Sequence, residues 1–138
     1  MPSWKEMNTL TIKEFRDNGG KLGGHFEGAP LLLLTTKGAK TGNAHTAPLM
    51  YLSEGDRLVI FASMAGAPQN PDWYHNLLAE PTATVEVGPE TFSVKATVAN
   101  KEERDRLYSK QAGIYPQFAE YETKTTRKIP VVFLNRQN

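Results

Sequence analysis

A turn rich in lysine and glycine is the part of the sequence best suited to chemistry. Residues 31–51 read LLLLTTKGAKTGNAHTAPLMY, with two lysines and two glycines among residues 37–42. Glycine lets backbone N–H groups approach an anion closely, and lysine ammonium groups neutralise its charge. Lys37, Lys40 and Thr41 therefore form a candidate phosphate or carboxylate site. A plain solvated turn has the same composition and is favoured by the turn alone, and the GxxxxGK[ST] spacing of a Walker A loop is absent.

Two other segments could contact a flat ligand. Residues 63–67 (SMAGA) follow an apolar run, so their backbone amides could reach a ring system or simply connect to the next helix. Tyr115, Phe118 and Tyr121 are spaced by three and follow Tyr108, which places their rings near one helix face. These rings could wall a substrate and offer a hydroxyl, or they could pack in the core. The residues leave both interpretations open.

Several classes of site lack support. The 138 residues include no cysteine, which excludes disulfides, thiolate nucleophiles and cysteine-rich metal sites. His25, His45 and His75 lack the i, i+4 spacing of a helical zinc site, so we expect no metal. There is no G-x-S-x-G elbow for a hydrolase triad. A net charge of +1 gives no strong field for nucleic acid.

The elements that must position these residues follow from periodicity and turn signals. The length indicates one domain. A capping box at residues 11–14 predicts a helix that ends at residues 19–20, and Asn70–Pro71 and a second capping box at residues 100–103 predict two more. Residues 114–123 indicate a short helix or structured loop. Strands are predicted at residues 31–36, 44–53, 58–62, 84–87, 91–98 and 129–134. Short antiparallel strands with few helices favour a small β-barrel with helices outside.

The N-terminal residues contain no signal-peptide core, and no apolar run is long enough to span a bilayer. We therefore expect a cytoplasmic protein. Peripheral membrane association through Trp4 and Met7 is a weaker alternative, because Lys5 and Glu6 interrupt the apolar stripe.

Three segments together resemble the deazaflavin-dependent nitroreductase family. They are the residue 31–51 stretch, the following VIFASMAGAPQNPDWYHNLLAEP and the terminal IPVVFL. The resemblance covers roughly residues 25–136 and implies an α+β split β-barrel of the pyridoxamine oxidase-like type. It further implies an N-terminal helical segment at residues 1–24, a deazaflavin-binding barrel at residues 25–138, and coenzyme F420 as cofactor.

The resemblance also implies roles for individual residues. The coenzyme's phosphate and oligoglutamate tail would be held by Lys37, Gly38, Ala39, Lys40, Thr41, Gly42 and His45. The ring system or its ribityl chain would be contacted by Pro48, Leu49, Met50, Ser63, Met64, Gly66 and Ala67. The segment from Asn70 to Asn76 would be structural. The sequence has His45 where the family usually has arginine, Met64 where lysine is common, and Phe118 where some relatives carry tyrosine.

The implied reaction is hydride transfer from reduced F420 to an electron-poor acceptor, such as a quinone, a nitroaromatic or an unsaturated lactone of the coumarin or furan type. Tyr115 and Tyr121 would close over the acceptor, and Ser63 could hydrogen-bond its developing negative charge. The proton would come from Tyr115, Tyr121 or water. The partners would be small molecules, with the chain a monomer or homodimer. Two alternatives are an FMN-dependent oxidoreductase and a non-catalytic module that binds a flavin, a deazaflavin or haem.

Overall fold

The computed structural model describes residues 4–23 and 30–137. This part of the chain forms four helices and six strands, and a one-turn 3₁₀ helix (Met64–Gly66) follows the third strand. The elements in order are α1 (Trp4–Asp17), β1 (Leu31–Lys37), β2 (Ala44–Glu54), β3 (Arg57–Phe61), α2 (Asp72–Ala79), β4 (Thr82–Val87), β5 (Glu90–Val98), α3 (Lys101–Ile114), α4 (Gln117–Lys124) and β6 (Val131–Arg136). No helix within these ranges is long and apolar enough to cross a membrane.

The six strands form a closed antiparallel barrel in the order β1-β2-β3-β6-β5-β4. Tight turns connect β1 to β2, β2 to β3 and β4 to β5, as the glycine-containing turn signals predict. Pairing of β4 with β1 then closes the barrel. The predicted barrel with outer helices is confirmed, and closure leaves no free sheet edge.

Strand β1 is buried on both faces, as its unbroken apolar run predicts. Leu32 and Leu34 belong to the cluster inside the barrel. Leu31 and Leu33 point outward and pack beneath Phe15 of α1. Both faces therefore require leucine, and the usual alternation of apolar and polar residues is lost.

Two helical layers complete the core. Trp73 and Leu77 of α2 join the cluster inside the barrel. On the opposite side, α3 and α4 cover the outer faces of β3 and β6 with a second cluster that includes Phe61, Tyr108 and Phe118. The barrel thus packs against different helices on its different faces, and α2 and α4 each position part of the candidate site.

Two helix starts differ from the sequence prediction. Helix α1 begins at Trp4, so Thr11 lies inside it and its hydroxyl donates to Met7 O at 2.9 Å instead of capping an N-terminus. Threonine makes this i−4 bond readily, because its hydroxyl reaches the preceding turn. Pro71 occupies the cap position of α2, since the Asn70 side chain accepts from Arg127 at 2.8 Å. The predicted cap at Asn100 is confirmed by a bond from Glu103 N at 2.9 Å.

Candidate active site

The lysine–glycine turn closes largely on itself. Gly38 N donates to Asn43 O at 2.7 Å, and Gly42 N donates to Gly38 O at 2.9 Å. Gly42 has φ of 75°, a left-handed conformation that glycine adopts without strain. Both glycine amides are therefore already bonded. Within the described chain, the amides of Lys40 and Thr41 have no protein acceptor, so these two remain available to an anion.

Asn76 holds this turn from inside the barrel end. Its Oδ1 accepts from Ala39 N at 2.9 Å, and its Nδ2 donates to Thr36 Oγ1 at 3.0 Å. The side chain is 6% exposed, so the amide is a buried bridge between α2 and the β1–β2 turn. Sequence reasoning gave this helix only a general structural role. A polar side chain next to Leu77 on an apolar helix face was the signal that could have singled Asn76 out.

Three basic side chains border the turn, with Lys37 on the outer face of the β1–β2 pair and His45, opposite Thr36, on the inner face. Lys37 and Lys40 are exposed, and neither lies within 4 Å of a carboxylate among the described residues. A Cβ atom on Gly38 would come within 2.9 Å of His45 Nε2, so the glycine makes room for the imidazole ring. Unpaired ammonium groups, a ring nitrogen and unbonded amides form a donor set suited to phosphate or carboxylate oxygens.

The outer faces of β1 and β2 connect this turn to the helical side of the barrel. Directly opposed residues share a face, and Pro48 and Met50 oppose outward-facing leucines of β1. The seven residues from Ala44 to Met50 span about 20 Å at the usual rise of a strand. We call this surface, from Lys37 to Met50, the binding strip. Leu49 points into the barrel, so it offers the binding strip only its backbone.

An aromatic cluster stands where the binding strip ends. Met50, Tyr115 and Tyr121 are partly buried and pack against the same group of buried residues, and Met50 also packs against the Phe15 cluster beneath α1. Phe118 and Tyr108 belong to that buried group, at 5% and 1% exposure, and the Tyr108 hydroxyl donates to Phe118 O at 2.7 Å. The aromatic cluster therefore has two parts. Tyr108 and Phe118 are core residues, whereas Tyr115 and Tyr121 border the surface.

The environments of Tyr108 and Tyr121 raise the pKa values of their hydroxyls. Burial raises the pKa of Tyr108 to about 12. Burial also raises the pKa of Tyr121, and the nearby negative charge of Glu120 adds to the effect. Tyr121 thus keeps its proton at neutral pH and can donate a hydrogen bond to an acceptor at the surface.

The loop after β3 has an unusual backbone. Met64 has φ of 46°, a left-handed conformation that costs a non-glycine residue about 1 kcal/mol or more. Gly66 has φ of 82°, and a Cβ there would lie 2.9 Å from Tyr121 O. Gly66 is therefore buried against α4, whereas Met64 is 45% exposed and Ser63 is 8% exposed. Ala67, which follows, is partly buried.

Arg127 secures this loop, and nothing in the sequence singled it out. Its guanidinium donates to Ala62 O at 3.0 Å, Ser63 O at 2.9 Å, Ala67 O at 2.9 Å and Asn70 Oδ1 at 2.8 Å. Partial burial lowers the pKa of Arg127 from its usual value. Arg127 lies in a polar segment of the sequence. Most of its partners are 60 or more residues away along the chain, so only the fold brings them together.

A shallow depression of about 270 Å³ adjoins the turn on the outer barrel surface. Its lining is mainly small and hydroxylic, and it includes Lys37 and Gly42 beside residues of β1, β2, β4 and β5: Thr35, Thr36, Ala44, Thr82, Ala83, Thr84 and Ser93. The turn is thus accessible from the solvent side.

The sequence and the fold are similar to those of known proteins. Residues 7–136 match the sequence model of a family described as F420H(2)-dependent quinone reductase. A Mycobacterium tuberculosis F420H(2)-dependent quinone reductase is 39% identical over 127 residues, which cover 89% of this chain and 85% of the relative.

Solved structures agree with this likeness. A structure described as an F420-H2 dependent reductase is 38% identical, covers 77% of this chain and 94% of its own, and has a TM-score of 0.69. A second, described as a domain-swapped dimer, is 35% identical, covers 92% and 95%, and has a TM-score of 0.72. A Listeria innocua protein named for pyridoxamine 5′-phosphate oxidase is 11% identical, covers 79% and 85%, and has a TM-score of 0.58, which shows the split-barrel fold alone.

Proposed function

The chain belongs to the F420H(2)-dependent quinone reductase family, and from that premise we propose how its residues hold the coenzyme and the acceptor. It is an oxidoreductase with F420 as its coenzyme, and it reduces an electron-poor organic acceptor of the quinone class. The binding strip supports the assignment of these residues. It connects a turn whose lysines have no carboxylate partner among the described residues to Tyr115 and Tyr121, which border the surface.

The basic turn holds the anionic part of the coenzyme. Lys37 and Lys40 face the phosphate and the carboxylates of the tail, His45 reaches the turn from the inner face of β2, and the free amides of Lys40 and Thr41 add two donors. Gly38, Ala39 and Gly42 shape the turn, because their amides are bonded inside the protein. Binding energy gained at this remote end orients the rings at the other end.

The far end of the binding strip holds the ring system. Pro48 and Met50 offer apolar side chains, Leu49 offers its backbone, and Ser63, Met64 and Ala67 border the same end of the barrel. Gly66 acts indirectly, since its missing side chain allows α4 to approach the loop. These groups fit a flat, mainly apolar ring joined to an anionic tail.

The acceptor lies beside Tyr115 and Tyr121. Reduced F420 supplies the hydride when it is bound, which is the chemistry that the protein itself lacks. A quinone that takes up this hydride also needs a proton to become a hydroquinone, and in this proposal the Tyr121 hydroxyl supplies that proton and is reprotonated from solvent. Tyr121 donates a hydrogen bond to the acceptor oxygen, Ser63 stabilises its developing negative charge, and the closed aromatic pair excludes water from the reacting atoms.

Titration of the purified protein with F420 tests this proposal. We expect a change in F420 fluorescence with micromolar affinity, equivalent to about −8 kcal/mol. The affinity falls as salt is raised, because exposed lysines supply the attraction. FMN in the same titration is the control ligand. Absence of F420 binding at low salt would contradict the proposal, and a purified protein that carries FMN would favour the flavin instead.

We also propose that the chain forms a homodimer. The support is the 35% identical solved structure described as a domain-swapped dimer, which covers 92% of this chain. Light scattering at two protein concentrations measures the mass directly. A mass that stays at the 15.3 kDa of one chain would contradict a dimer.

A further inference from the structure

We propose that Arg127 is a positioning residue of the reductase site. By holding residues 62–70 against α4, its guanidinium sets the place of Ser63 and of the loop backbone relative to Tyr121. This inference rests on the proposed function, because that function assigns Ser63 and Tyr121 to the acceptor. Arg127 itself contacts neither the coenzyme nor the acceptor in this proposal.

The first support is the shape of the contact. Three backbone carbonyls and the Asn70 side chain surround one guanidinium group, with donor–acceptor distances of 2.8 to 3.0 Å. Arginine carries five N–H donors in a rigid plane, so one side chain fixes several carbonyls at once. Lysine has a single rotating ammonium group and cannot reproduce this arrangement.

The second support is that the loop needs an external restraint. The hydrogen bonds within it are those of one 3₁₀ turn, from Gly66 N to Ser63 O at 2.9 Å and from Ala67 N to Met64 O at 3.0 Å. Met64 is held in a left-handed conformation, which persists only where the surroundings impose it. Two neighbours impose this conformation. Arg127 holds one side of the loop, and the backbone of α4 packs against Gly66 on the other side.

The third support is the charge of Arg127. Arg104, an arginine with a purely structural setting, is paired with Asp105 and Glu122. Arg127 has no carboxylate within 4 Å among the described residues, and its acceptors are neutral. It therefore leaves a positive charge beside Ser63, where negative charge develops on the proposed acceptor.

Arg127→Lys tests the inference, with Arg106→Lys as the matched control because Arg106 pairs with Glu54 on the surface of α3. Hydrogen exchange of the coenzyme-free protein reports the order of residues 62–70. F420 titration then reports tail anchoring, and steady-state reduction of a soluble benzoquinone reports kcat and KM.

We expect faster exchange at residues 62–70 in Arg127→Lys and a loss of roughly 10- to 100-fold in kcat, as misplacement by about 1 Å produces. The Kd for F420 rises less than about threefold, since the lysines of the turn are unchanged. In Arg127→Ala, guanidinium ion at low millimolar concentration restores part of kcat. Arg106→Lys changes none of these values.

Two results would overturn the inference: unchanged exchange at residues 62–70, or a loosened loop with wild-type kcat. If Arg127→Lys does not fold, Asn70→Ala removes a single acceptor, and the same shifts are expected at smaller size. Wild-type protein that fails to bind F420 would instead overturn the proposed function. Exchange of the coenzyme-free protein would still decide whether Arg127 holds the loop.

Discussion

Lys40 and Tyr121 stand at opposite ends of the proposed site, so their substitution separates binding from chemistry. We expect Lys40→Ala to raise the Kd for F420 roughly tenfold, because a charge-assisted contact is lost. Tyr121→Phe changes that Kd less than about threefold, since a hydroxyl far from the anionic tail contributes little to its binding.

Fluorescence titration at two salt concentrations measures both effects. Lys101→Ala, an exposed lysine at the start of α3, is the control and leaves the Kd unchanged. The salt dependence is weaker in Lys40→Ala than in the wild type. If Tyr121→Phe had the larger effect on binding, the tail site would be at the wrong end of the binding strip.

Tyr108 makes the free energy of unfolding depend on pH in the alkaline range. In the unfolded chain its hydroxyl loses a proton near pH 10, whereas burial holds the folded pKa at about 12. Between these values the unfolded state binds fewer protons, so the free energy of unfolding falls as pH rises, by at most about 1.4 kcal/mol per unit. Below pH 10 the effect is absent.

Urea unfolding at pH 9, 10 and 11 measures this slope, because these pH values lie on both sides of the ordinary tyrosine pKa of 10.0. Tyr108→Phe reduces the slope, and the part that remains comes from groups such as Tyr121, whose pKa burial also raises. The substitution lowers stability at neutral pH by about 1–2 kcal/mol because Phe118 O loses its donor. Equal slopes in the wild type and in Tyr108→Phe would show that other groups cause the pH dependence.

At the scale of elements, the contact between α4 and the loop after β3 depends on Gly66. A Cβ atom would come within 2.9 Å of both Tyr121 O and Lys124 Cβ, and φ of 82° adds backbone strain. We expect Gly66→Ala to lower the free energy of unfolding by about 1–3 kcal/mol.

Gly113→Ala is the matched control for that substitution. Gly113 lies inside α3, and a Cβ atom there has no neighbour within 4 Å. Alanine should therefore stabilise the helix by about 0.5–1 kcal/mol. Denaturant unfolding of both variants gives the comparison, and equal signs would mean that the close approach of α4 does not decide the effect of Gly66.

Several elements could be derived from the sequence because their signals are local. The unbroken leucines of β1 and the cap at Asn100 depend on neighbours in the chain, and both are confirmed. The start of α1 was wrong, since a threonine at a capping spacing also fits inside a helix. Asn70 was misassigned because a partner 57 residues away competes for its side chain.

At the scale of the whole molecule, α1 is attached to the barrel through Phe15, which is 1% exposed and packs on Leu31 and Leu33. We expect Phe15→Ala to lower the free energy of global unfolding by about 3–4 kcal/mol, because it opens a cavity above β1. Leu10→Ala, at 62% exposure, should stay within about 0.5 kcal/mol of the wild type.

Urea unfolding followed by circular dichroism and by tryptophan fluorescence measures this attachment. Coincident transitions that shift together in Phe15→Ala indicate one cooperative unit. Trp4 lies in α1, so the fluorescence is measured in a Trp4→Phe background, where Trp73 alone reports on the barrel. In that background, a shift seen by circular dichroism alone would mean that the N-terminal helical segment, predicted at residues 1–24, unfolds separately from the barrel.

The barrel strands, the basic turn and the family resemblance could be derived from the sequence, because each depends on residues that are close together along the chain. The donors that remain free, and the residues that support them, could be identified only from the fold. Asn76 and Arg127 act on partners 37 to 65 residues away, and closure of the barrel brings those partners within hydrogen-bond distance. The pairing register likewise places Leu49 on the inner face of β2 and Pro48 and Met50 on its outer face, because successive side chains of a strand face opposite sides.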